Sequence, residues 1–114
     1  MRDIVIIKID GTVEAQKLSG DSTADFNLIG GIVDGFVERA PIANYTQLMW
    51  VNEEGKIRGL PHNPKAQRLW DEAWGEGSDY IVGNVVITGD DTEEGETGVL
   101  PEGEAQRLVE LLSK

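Results

Sequence analysis

The chain has 114 residues, with 21 acidic against 10 basic side chains, a formal net charge of -11 and no cysteine. That length suits one domain with a single core, the missing cysteines remove disulfide and thiolate chemistry, and the charge opposes direct binding to phosphate backbones or anionic lipid. The N-terminal apolar run Ile4-Val5-Ile6-Ile7 is too short for a signal peptide, and no window approaches the ~20 apolar residues of a membrane span, so the cytoplasm is the expected compartment.

In chain order, residues 3–9 and 12–17 flank Asp10-Gly11, the signature of a hairpin with a two-residue turn. Such a turn pairs Lys8 with Val13, Ile6 with Ala15 and Ile4 with Lys17. The first strand is apolar on both faces and the second on one, which predicts an interior strand beside an edge strand. Asp21 or Ser22 caps a short helix through Ile29, ended by Gly30-Gly31. A strand pattern resumes over residues 32–39 and is broken by Pro41 and Asn44. Residues 45–51 alternate, with Leu48 and Trp50 on one face and Gln47 and Met49 on the other. Asn52-Glu53-Glu54-Gly55 has the length of a four-residue hairpin loop into a strand over 56–60.

Asn63 is an N-cap and Pro64 fits the first helical position, after which Ala66, Leu69, Trp70, Ala73 and Trp74 draw one apolar stripe, stopped by Gly75 and Gly77. The β-branched run within residues 80–88 reads as a mostly buried strand. Residues 90–98 form a polar loop. Pro101 opens a last helix with Glu102 and Glu104 in its first turn and Ala105, Leu108, Val109 and Leu112 inward. These elements make an α+β fold: a single domain with a mostly antiparallel sheet of about five or six strands packed against two or three helices.

Chemistry is sparse. Asn52, Glu53, Glu54, Lys56, Arg58, His62 and Asn63 form a polar platform where donors and acceptors crowd, and these are the candidate binding residues. Part of that polarity is structural, since Asn63 is a cap and Asn52 opens a turn. Catalysis by Glu53 or Glu54 would need burial or a partner to shift a pKa, neither of which sequence shows, so no catalytic residue is assigned. His62 is the single histidine; beside an N-cap, its plainer reading is a solvated turn residue. Asp90, Asp91, Glu93, Glu94 and Glu96 crowd one loop that could dock a basic protein, but with Asp90 as first ligand of a calcium loop the twelfth position is Pro101, so that template fails. Trp50, Trp70 and Trp74 lie on apolar faces and read as core. No metal or other cofactor is expected.

The order Leu28-Ile29-Gly30-Gly31, Val51-Asn52-Glu53-Glu54-Gly55-Lys56, Gly59-Leu60-Pro61 with Asn63, and Asp79-Tyr80-Ile81-Val82-Gly83 with residues 85–89 resembles domain of unknown function family 3846 over nearly the whole chain. Such domains look like small proteins of bacteriophages and bacterial mobile elements. The resemblance implies one domain in a bacterial host cytoplasm and supplies no catalytic residues; the acidic stretch 90–96 departs from the family pattern. The leading expectation is a non-enzymatic, phage-encoded accessory protein that sequesters or inhibits a host protein or small ligand, host defence being one process it could serve. The alternative is an acidic DNA mimic that blocks a host DNA-binding protein. A small hydrolase or nucleotide-modifying enzyme is third. Oligomeric state is left open.

Overall fold

The computed structural model describes residues 3–91 and 97–113. Five strands, β1 (Asp3–Ile7), β2 (Val13–Lys17), β3 (Val37–Ile42), β4 (Gln47–Asn52) and β5 (Val85–Gly89), form one sheet in the order β2-β1-β5-β4-β3, with every neighbouring pair antiparallel. Three helices complete the α+β fold: α1 (Ser22–Val33), α2 (Pro64–Trp74) and α3 (Glu104–Leu112). Alternation along the strands divides the core. Val5, Ile7, Met49, Val85 and Ile87 point to the face covered by α2 and α3, where Ala66, Leu69, Ala105, Leu108 and Leu112 meet them. Ile4, Ile6, Trp50 and Val86 point to the other face, onto Ile29 and Val33 of α1. No helix among the described residues is long and apolar enough to cross a membrane.

β1 is interior and β2 is an edge, as the one-sided pattern of residues 12–17 requires, but the register differs by one residue from the two-residue turn. Val5 faces Ala15 and Ile7 faces Val13. The loop comprises Ile9, Asp10 and Gly11, with the Gly11 N–H donating to Lys8 O and Gly11 alone left-handed at φ 92°. The Asp10 carboxylate instead accepts from the Thr12 N–H at 2.8 Å. A turn followed by one left-handed glycine bulge needs only one positive φ, whereas the two-residue turn needs two. The slip moves Val13 to the α3 side, where it packs on the core.

Asp21 caps α1 by accepting from the Ala24 N–H, but Gly30-Gly31 lie inside the helix, which ends at Asp34 with φ 66°. Ile29, Ile32 and Val33 continue the stripe facing the sheet. Their burial outweighs the ~1 kcal/mol that each helical glycine costs. The following strand therefore begins at Val37 rather than at residue 32 and runs through Pro41, which the outer strand tolerates because no ladder bond is needed on its free side. Asn44 does stand in the connection to β4, where Ala43, Asn44 and Tyr45 all have left-handed φ.

No strand forms over residues 56–60. Both edges of β4 are already occupied, by β3 and β5, so a further hairpin partner has nowhere to pair. Residues 53–59 coil into successive turns, with Glu54 N–H donating to Asn52 Oδ1, Arg58 N–H to Glu54 O and Leu60 N–H to Gly55 O. The run 80–88 is also divided: Ile81 and Val82 are buried, Val82 bridges His62, and the chain joins the sheet only at Val85. α3 begins at Glu104, after a turn in which Pro101 O accepts the Glu104 N–H, and Glu102 lies before the helix.

Candidate functional site

α2 is built as the spacing predicts, and its cap does more than start a helix. Asn63 is fully buried; its Oδ1 accepts the Ala66 N–H while its Nδ2 donates to Ile7 O at 3.0 Å and Gly83 O at 2.9 Å. With the Asn63 N–H also donating to Ile81 O, this residue ties β1, α2 and the segment 81–83 together. Asn52 works similarly at the end of β4. Its Nδ2 donates to Val33 O and Asp34 O, both at 3.0 Å, which fixes the exit of α1 against the turn at 53–59. Two of the platform residues thus serve the scaffold, and Asn63 has no surface to offer a ligand.

The scaffold holds two walls apart. Between the 53–59 turn and residues 79–82 lies a cavity of about 310 Å³, with Val51, Ile81 and Val82 as apolar lining, Ile57 and Tyr80 at its mouth, and Glu38, Glu53, Lys56 and Asp79 as charged groups. Glu38 faces Val51 across the β3–β4 ladder, which brings a carboxylate from the outer strand to the same rim. Lys56 and Asp79 form an ion pair from one wall to the other, and the Tyr80 N–H also donates to Asp79 Oδ1. The Lys56 ammonium, with the Tyr80 amide adding to it, holds the Asp79 carboxyl below its ordinary range.

His62 is half-buried rather than solvated. Its ring stacks on Tyr80 with centroids 4.4 Å apart and an 8° interplanar angle. Gln67 fixes its tautomer: Gln67 Oε1 accepts the Ile81 N–H, Gln67 Nε2 donates to Asp71 and to Asp79 O, and His62 Nε2, 3.2 Å from Oε1, must therefore carry a proton. His62 lines a second, more open hollow of about 420 Å³ with Gln67 and Asp71, so the His62–Tyr80 stack is the partition between the two.

Of the sequence-derived candidates, Asn52, Glu53 and Lys56 meet on the first cavity. Glu54 is exposed, and Arg58 turns away to bind Asp34, donating to its carbonyl at 2.7 Å and its carboxylate at 3.0 Å. In the acidic stretch Asp90 is exposed and Asp91 pairs with Arg39, whose guanidinium lies 5.1 Å from the Trp50 ring centre. Glu93, Glu94 and Glu96 lie outside the described residues. Trp50 is core, its Nε1 donating to Thr88 Oγ1, whereas Trp74, the last residue of α2, is 42% exposed. Its Nε1 donates to Pro41 O and its ring meets Tyr45 edge-on. Glu38 and Asp79 are absent from the sequence-derived candidates, because each reaches the cavity only through pairing or a turn remote in the chain. Among the described residues no three His, Cys, Asp or Glu side chains converge as a metal-binding group.

An antiparallel five-stranded sheet, helices on both faces and a cavity at one end of the β3–β4 ladder define a small α+β domain. The chain belongs to the family described as Domain of unknown function (DUF3846), whose model it matches over residues 1–113. No curated protein and no solved structure shows significant similarity to it.

Proposed function

We propose that this is a non-enzymatic binding protein, of phage or mobile-element origin, whose site is the cavity between the 53–59 turn and residues 79–82 and which sequesters a host protein or small ligand in a bacterial cytoplasm. The observation that carries this reading is the combination of apolar lining, a charged rim and exposed apolar side chains at the mouth, Ile57 being 90% exposed. Such a mixture favours recognition over chemistry. Asp79, the cavity carboxyl with a shifted pKa, is pushed down by its pairing with Lys56, which makes it a weaker base and leaves no proton to donate near neutrality. Glu53 and Glu54 are exposed on the turn.

The test is capture from bacterial lysate on immobilised protein, wild type against Ile57→Ser. Because Ile57 supports little of the core, the variant should fold normally and lose the captured partner. Equal capture by both would reject the site. Turnover on a metabolite panel that disappears in Glu53→Gln or Glu54→Gln would reject the non-enzymatic reading.

A further inference from the structure

We infer that the cavity receives the cationic head of an arginine or lysine side chain presented by a partner protein. This rests on the reading that the cavity is a binding site and goes further by naming what enters it. Three carboxylates, Glu38, Glu53 and Asp79, stand on the lining against one ammonium, Lys56. Lys56 is already taken by Asp79. Among the described residues Glu38 and Glu53 have no ion-pair partner, so the rim carries two uncompensated negative charges facing one small space. An anion would meet repulsion there. A cation would find both carboxylates, and the exposed ring of Tyr80, backed by His62 on one face, adds an aromatic surface that attracts positive charge.

The lining matches the rest of such a side chain. Val51, Ile81 and Val82 offer an apolar wall along which a methylene stem can lie while the head reaches the Glu38 and Glu53 carboxylates. A volume of about 310 Å³ lies at the small end of ligand cavities (about 300–1,000 Å³), suited to one side chain rather than a large cofactor. The rim argues for a protein as the source rather than a free amine. Ile57 is 90% and Tyr80 56% exposed, and both line the cavity beside its charged groups. A partner surface around the inserted side chain would cover them, as a free amine would not. The net charge of -11 would steer a basic partner toward the protein at long range.

The probes are acetyl-Ala-Leu-Arg-Leu-Ala-amide, the same peptide with Lys or citrulline in place of Arg, and agmatine, titrated into isotope-labelled protein while backbone amide shifts are followed. The Arg and Lys peptides should move the amides of Val51, Tyr80 and Ile81. The citrulline peptide and agmatine should each bind at least tenfold more weakly than the Arg peptide. The double variant Glu38→Gln/Glu53→Gln, altered only at exposed positions, should lose the preference for Arg over citrulline. If citrulline binds as tightly as Arg at the same amides, the cationic assignment is overturned while the cavity stands as a binding site. Equal affinity for agmatine overturns the assignment to a protein side chain. If no probe moves these amides at millimolar concentration the inference falls, and the Ile57→Ser capture experiment then decides separately whether the cavity binds anything.

Discussion

Replacing Asn63 separates a helix cap from a three-way clamp. Its Oδ1 caps α2 through the Ala66 N–H, and its Nδ2 satisfies Ile7 O and Gly83 O in a site with no solvent exposure. Loss of a cap costs about 1 kcal/mol. Each buried carbonyl left without its donor adds about 1–2 kcal/mol, so Asn63→Ala should lose about 3–5 kcal/mol in all, a large share of the ~5–15 kcal/mol typical of a domain. Asn63→Asp is the sharper variant, because aspartate caps as well as asparagine yet replaces the donating amide by a charged acceptor facing two carbonyls. At pH 7 it should be destabilised at least as much as the alanine variant. Urea unfolding followed by tryptophan fluorescence measures both. If Asn63→Asp lies within about 0.5 kcal/mol of wild type, Asn63 is only a cap, and the account of how residues 81–83 are held as a cavity wall is wrong.

Asn52→Ala, which takes the side-chain partner from Val33 O and the Glu54 N–H and leaves Asp34 O to Arg58 alone, should cost about 1–3 kcal/mol by the same assay, and a loss below about 1 kcal/mol would mean that the 53–59 turn holds itself. Gly89→Ala should destabilise by about 1–3 kcal/mol, since an added Cβ would come 2.1 Å from Val99 O where the chain crosses back at the Gly89–Gly98 bridge; unchanged stability would place that crossing elsewhere. Asp79 has its folded-state pKa lowered from 3.8, chiefly by Lys56, so its contribution is present above the unfolded value and is lost as pH falls through the folded one. The pair is largely exposed, which limits this to under about 1 kcal/mol. Urea midpoints from pH 6 to 3 should therefore fall less steeply in Asp79→Asn than in wild type, and parallel profiles would remove the pair as a wall-to-wall tie.

How far the sequence reaches depends on whether a feature is local. The Asn63-Pro64 start of α2 and its Ala66-Leu69 stripe are local, and they fold as the spacing predicts. The two-faced apolarity of residues 4–7 likewise places β1 inside the sheet. Asp10-Gly11 is local but degenerate, because a two-residue turn and a bulged loop both use a left-handed glycine, and the choice sets the register of β2. The Gly30-Gly31 stop fails because the distant sheet rewards Ile32 and Val33 for staying helical. A strand over residues 56–60 fails because β5 already occupies the edge it would need. The cavity is the least local feature. Asn52, Glu53 and Lys56 could be picked out by their crowding, while Glu38 and the stretch Asp79-Tyr80-Ile81-Val82-Gly83 gain a role only once β3 and the bridge to His62 bring them opposite the turn. His62 itself looks like a turn residue until Tyr80 covers its ring.

Amide hydrogen exchange on the protein, with and without the partner captured from lysate, is the most direct measurement of where recognition occurs. The account predicts slowed exchange in two separate stretches, residues 51–57 and 79–82, because they are the two walls of one cavity. Protection confined to the exposed surface around Tyr45 and Trp74, or to the outer strand β2, with both walls unchanged, would contradict it.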